Sequence, residues 1–287
     1  MAATHSSLMS ERLAPNSRRR LRRFGWIIVL VVGVGLFESV RQALLNTGNP
    51  NFVPSLILLG AAVMPATFVA FLYALRLPYT ASTGMLATVA VIGGVIGIVV
   101  AGLLEYKTLL RLNTLPMLAV GLIEETSKLI VPVVVLIAVR RLRNGADGLL
   151  LGVAAGAGFA ALETMGYAFV VLIQSGGNLS AVDGVLLLRG LLSPAAHMAW
   201  TGLTGAAIGA AFAAGWTRRS ILICIVAFAF AVGLHTTWDT LATTKAFIVL
   251  AAIAMIALAW TTHLLSRSAR RRAATTSLAG IPASGPA

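Results

Sequence analysis

Residues 115–139 read LPMLAVGLIEETSKLIVPVVVLIAV. A membrane span needs about 20 consecutive apolar residues, and this stretch satisfies that everywhere except at its middle. There it carries Glu124, Glu125 and Lys128. Three more long apolar stretches are interrupted in the same way, by Glu163, by His197, and by His235 with Asp239. A charge held at mid-membrane costs roughly 2.5–3.5 kcal/mol on insertion scales, so the five charged side chains together cost about 15 kcal/mol if left alone. A whole fold is stable by only about 5–15 kcal/mol. These groups must therefore meet one another, lose their charge, or bind something, and they are the candidate functional site.

The rest of the 287-residue chain fits the same reading. It is 58% hydrophobic and only 11% charged, with a mean hydropathy of +0.91. Such a composition belongs to a polytopic membrane protein rather than a soluble domain. The formal charge of +13 sits in short basic blocks between apolar runs, which matches anionic lipid and topology control rather than a nucleic-acid footprint. With Cys224 as the single cysteine, an intrachain disulfide is excluded and a cysteine-based zinc site has too few donors.

Eight apolar segments read as an all-α transmembrane bundle: 24–45, 53–75, 81–104, 115–139, 148–173, 189–214, 220–243 and 246–266. Turn residues such as Asn46-Thr47-Gly48-Asn49-Pro50 separate them. Residues 1–23 form a basic leading segment. The apolar run behind it has no small-residue cleavage site, so it reads as an uncleaved first span rather than a signal peptide. Residues 267–287 are rich in Arg, Ala, Ser, Thr and Pro and are expected to be a disordered tail. If the N-terminus is cytoplasmic, sixteen basic residues fall on that side. Five fall opposite: Arg41, Lys107, Arg111, Arg189 and Lys245. The bias places both termini in the cytoplasm.

This topology gives the interrupting groups a common depth. At about 1.5 Å per residue, Glu124 lies roughly 14 Å, Glu163 about 15 Å, and His197 and His235 about 12 Å below the outer ends of their spans, with Asp239 at about 6 Å. Spans that alternate in direction yet carry polar groups at similar depth point to one water-accessible site opening outward.

Within each span the spacing supplies local partners. Glu124 and Lys128 are i,i+4, and Glu125 is i,i+3 from the same lysine. The two adjacent acids point about 100° apart, the turn per residue of a 3.6-residue helix, so one can face a cavity while the other anchors a neighbouring helix. Phe159 and Glu163 share a face, and Gly148, Gly152 and Gly156 form a stripe that invites close helix contact. Pro194, three residues before His197, can open its helix locally. His235 and Asp239 are i,i+4, so the carboxylate can fix the imidazole's tautomer. Each feature alone is also compatible with a structural ion pair, an interhelical hydrogen bond or a packed histidine. Glu38 and Arg41 read as a structural pair near the end of the first span.

In order, Glu124-Glu125-x-x-Lys128, Phe159-x-x-x-Glu163, a separate His197 and His235-x-x-x-Asp239 resemble the successive motifs of the PrsW family of intramembrane proteases. That family is related to the CAAX-prenyl protease and bacteriocin-processing group. The CAAX branch ends its second motif in His and often its last in Asn, so Glu163 and Asp239 favour the PrsW branch. The resemblance covers residues 115–243. It implies a peptidase of the bacterial cell membrane, cleaving membrane-anchored proteins such as anti-sigma factors near the outer face, with the lipid bilayer and the substrate as partners. The implied site is Glu124, Glu125, Glu163, His197, His235 and Asp239.

Two mechanisms fit these residues. A glutamate, Glu124 or Glu125, can take the proton from water directly while an imidazole binds the oxyanion. Alternatively a divalent ion, zinc in the family's usual description, is held by His197, His235 and Glu163, with Glu124 as base. A proton- or cation-coupled transporter is the rival of a different class, because intramembrane acid and histidine chains also serve proton relays. Against it, the sequence has no inverted repeat with matching broken helices. A non-catalytic scaffold that keeps the polar cluster for specificity is the third reading.

Overall fold

The computed structural model describes residues 3–75 and 77–279, with side chains described over 23–75 and 77–268. The basic leading segment and the tail expected to be disordered therefore fall almost wholly outside the described side chains. Among the described residues there are nine α-helices and no strand. They are α1 (Ala3–Thr47), α2 (Val53–Ala74), α3 (Thr83–Leu112), α4 (Met117–Ala138), α5 (Gly145–Gln174), α6 (Leu179–Leu192), α7 (His197–Ala214), α8 (Arg218–Leu241) and α9 (Thr244–Ala279).

Seven segments are long and apolar enough to cross a membrane: Arg23–Thr47, Pro50–Ala74, Thr83–Leu112, Gly145–Gln174, Leu179–Ala214, Arg218–Leu241 and Thr244–Ser268. The missing eighth is α4. It has 22 residues and the length to span, but Glu124, Glu125 and Lys128 spoil its apolar character. Those residues are buried inside the protein, with Lys128 at 0% and Glu125 at 1% exposure. The charges turn inward, and the lipid-facing side of α4 keeps Leu118, Leu122, Val134 and Ile137 exposed. The protein is a polytopic helical membrane protein.

Two expected boundaries differ, both for the same reason. The third span runs on to Leu112 rather than ending at 104, and the sixth begins at Leu179 rather than 189. In each case an acidic or basic side chain, Glu105 or Arg189, marks a boundary in the sequence, whereas the helix continues through it.

The core is built on α5, which packs against α2, α3, α4, α6 and α7. From Gly145 to Ala157 it is buried on every side. Such contact needs missing side chains. A Cβ on Gly148, Gly152 or Gly156 would run into the backbone carbonyls of Gly205, Thr201 and His197 on α7. On the other flank, Gly94 and Gly158 bring α3 and α5 together in the same way. Close backbone approach is how membrane helices gain dispersion contact without a hydrophobic driving force.

Polar residues fix the ends of these helices. Asn144 caps α5, accepting from the amides of Ala146 and Asp147 at 3.0 and 2.9 Å. Asp147, fully buried, accepts from the amides of Thr80 and Ala81 at 2.8 and 2.7 Å. That ties the α2–α3 connection to the start of α5. Arg143 donates to the carbonyls of Leu136 and Ile137 at 2.8 and 2.6 Å, closing the C-terminus of α4. Arg41 pairs with Glu38 as the sequence implies, at 3.4 Å. It reaches Asp183 on α6 more closely, at 2.9 Å.

Candidate active site

Helices α4, α5, α7 and α8 bring the six candidate residues together. The break at Ser193–Ala195, a single 3-10 turn around Pro194, makes His197 the first residue of α7. There its ring turns toward α4, α5 and α8.

Lys128 is the hub. Its Nζ donates to Glu125 Oε1 at 2.8 Å, lies 3.1 Å from Glu124 Oε2, and meets His197 Nδ1 at 2.7 Å. An ammonium has three protons and no lone pair, so His197 Nδ1 must be the acceptor. The ring proton then belongs on Nε2, which faces Glu163 Oε2 at 2.9 Å. Glu163 is held from the other side by Arg189 at 2.6 Å. Arg189 also stacks its guanidinium over the Tyr167 ring at 4.0 Å.

His235 is set the opposite way round. Its Nδ1 lies 2.9 Å from Glu125 Oε1, and an ionised carboxylate can only accept, so Nδ1 carries the proton. The lone pair is on Nε2, which lies 3.5 Å from Glu124 Oε2 and 3.3 Å from Asp239 Oδ2. Three acceptor atoms then face one another with no proton to share. That arrangement needs a proton on one of the three atoms or a metal ion between them.

The two adjacent acids divide their tasks as helix geometry suggests. Glu125 is spent on Lys128, His235 and, at 3.5 Å, the Thr201 hydroxyl; it holds α4, α7 and α8 together. Glu124 Oε2 lies at ion-pair distance from Lys128 and His235 yet has hydrogen-bond geometry to neither. Exposure rises from Glu125 at 1% and Glu124 at 10% to Glu163 at 17% and Asp239 at 30%, so the cluster opens on the Glu163–Asp239 side. An aromatic wall backs it. Trp200, fully buried, lies 4.9 Å from the His235 ring and 5.4 Å from that of His197. Phe159 takes the Lys128 ammonium over its face at 4.3 Å.

One carboxylate oxygen of Glu124 and one nitrogen each of His197 and His235 lie within 4.8 Å of one another, an arrangement that could hold a metal ion. Of the three residues expected as ligands, the two histidines belong to this group. Glu163 sits against His197 and Arg189 instead.

A match to the PrsW family of intramembrane metalloproteases runs over residues 77–262. It spans α3 to α9 and contains every residue of the cluster. The chain belongs to this family. This PrsW-family protein is accordingly a membrane-embedded peptidase, and α1 and α2 lie outside the matched region. No curated protein and no solved structure matches it.

Sequence reasoning missed two charged residues, one in contact with the cluster and one near it. Arg189 marks the start of a span when read linearly, and only the α5–α6 packing reveals its pairing with Glu163. Glu105, on α3, has one buried carboxylate oxygen without a partner. A lone acid just after an apolar run looks interfacial, and no local spacing distinguishes it.

Proposed function

We propose that this protein hydrolyses peptide bonds of single-span membrane-anchored proteins, with anti-sigma-factor-like substrates, near the extracytoplasmic face of the bacterial cell membrane. The observation that carries this reading is the meeting of Glu124, His197 and His235 within 4.8 Å, drawn from three helices. Two histidines and a carboxylate suit zinc and leave a position for water. When bound there, such an ion would supply a water of pKa about 7 and polarise the scissile carbonyl.

The protein's own groups then have separate tasks. Glu125 holds the His235 ring with its Nε2 lone pair toward the site, the supporting role that carboxylates play behind metal-bound histidines. Glu163 faces Nε2 of His197, whose Nδ1 would be open to an ion once Lys128, 2.7 Å away, turns to its two glutamates. Relative to the sequence expectation, Glu124 and Glu163 exchange roles. Glu124 is the carboxylate beside both rings. Glu163, paired with Arg189 and partly open to the outside, accepts the proton of the attacking water and returns it to the leaving amine. Lys128 places a fixed positive charge beside the reacting oxygen. Asp239 lies 3.3 Å from Nε2 of His235 at the open edge and would add negative charge beside a cation held there.

The test uses purified protein and a panel of doubly tagged single-span substrates. Cleavage on the extracytoplasmic side, abolished by a chelator and restored by zinc, is the expected result. Metal content separates the two glutamates. Glu124→Gln should lose both metal and activity, whereas Glu163→Gln should keep metal and lose activity by about 10²-fold or more. Metal lost in Glu163→Gln and kept in Glu124→Gln would reverse the assignment; no cleavage of any substrate would defeat the reading.

A further inference from the structure

Glu105 lies on α3 beyond the layer of Glu163 and Glu124. The contacts of three glycines fix the register of α3: Gly93 faces Ala155 and Val131, Gly94 faces Gly158, and Gly97 faces Phe159 and the backbone of Lys128. Following the same face of α3 one turn on, the buried Ala101 comes level with Glu163 and Glu124. One further turn brings Glu105 level with Tyr167, about 6 Å beyond that layer toward the C-terminal end of α3. Its carboxyl is within electrostatic range of Glu124, Glu163, His235 and Lys128.

Nearby cations are already committed. Lys128 is shared by Glu124, Glu125 and His197, and Arg189 is held by Glu163 and Tyr167. Glu105 Oε1 is buried with no hydrogen-bond partner, a condition that costs about 1–3 kcal/mol, more for a charged group, unless something arrives to satisfy it. Among the described residues, five carboxylates, Glu105, Glu124, Glu125, Glu163 and Asp239, share this region with two paired cations, Lys128 and Arg189. Even a divalent ion leaves negative charge over. A cationic side chain arriving from outside would answer both the excess charge and the unpaired oxygen.

We propose that Glu105 is a specificity-determining residue: its carboxylate receives a Lys or Arg side chain of the substrate. That side chain lies about one helical turn from the scissile bond, toward the same end of the bundle as the C-terminus of α3. This rests on the peptidase reading above and names what its site selects.

The experiment compares the parent with Glu105→Gln and Glu105→Lys on single-span substrates. Each position within one turn of the cleaved bond is set in turn to Lys, Met or Glu. For the parent, Lys is expected to exceed Met in kcat/KM by about tenfold at one position, the worth of one hydrogen bond to a charged group, with the change carried by KM. Glu105→Gln should erase the preference with little change in kcat on the Met substrate, and Glu105→Lys should transfer it to Glu. The Gln variant, nearly isosteric, decides the matter if the Lys variant does not fold. An identical preference in parent and Glu105→Gln overturns this inference while leaving the peptidase reading intact. No cleavage by the parent overturns both.

Discussion

Lys128 has no access to solvent and makes three polar contacts, to Glu124, Glu125 and His197. Breaking a buried ion pair from one side costs about 3–5 kcal/mol, because the charge left behind has no compensation. Lys128→Met should therefore destabilise the protein by about that amount, read as a lowered midpoint in detergent unfolding. A Lys128→Met, Glu125→Gln double variant should recover part of the loss, since it removes the stranded charge as well. Arg189 acts at the edge of the same site. Arg189→Gln removes the 2.6 Å contact to Glu163 but leaves α5 and α6 packed. It should lower kcat by about tenfold or more with an unfolding midpoint closer to the parent's than that of Lys128→Met, because Arg189 is 26% exposed at the open edge of the cluster, where solvent screens the charge left behind.

At the level of helices, the site's dimensions are set by how closely α5 and α7 approach. Gly156 lies against the carbonyl of His197 itself. A methyl group there must push α7 away and lengthen the contact from Glu163 to His197. Gly156→Ala is expected to cost about 1–3 kcal/mol through overpacking and to lose most activity. Gly166→Ala, on the same helix with nothing within 4 Å of the added carbon, should change neither the unfolding midpoint nor the rate. Pairs within one helix were legible in the sequence, because i,i+3 and i,i+4 spacing fixes which side chains share a face. Lys128 with its two glutamates and His235 with Asp239 were found that way. Contacts between helices depend on rotation and crossing angle, which no local pattern encodes. That is why Arg189, Glu105 and the Arg41–Asp183 pair were invisible, and why the carboxylate beside both histidines proved to be Glu124.

For the molecule as a whole, charge placement and helix count make a joint prediction. Eight crossings, counting α4 and treating α6–α7 as one broken span, leave both ends of the chain on the same side. The basic blocks at Arg18–Arg23, Arg140–Arg143 and Arg218–Arg219 put that side in the cytoplasm. Cysteines introduced at Asn144 and Thr217 in a Cys224→Ala background should be shielded from a membrane-impermeant thiol reagent in intact cells. Cysteines at Asn113, Gly177 and Thr243 should be labelled. The reverse pattern would place the open side of the site on the cytoplasmic face and remove the outer juxtamembrane substrate.

The claim that everything else depends on is that side chains from α4, α7 and α8 act as one reacting unit. Initial rates of substrate cleavage by Glu124→Gln, His197→Ala, His235→Ala and the triple variant measure this directly. Groups that work together are non-additive: each single change should abolish nearly all activity, and the triple should be no slower than the slowest single. Three partial losses that multiply in the triple variant, or any folded single variant retaining the parent's rate, would contradict it.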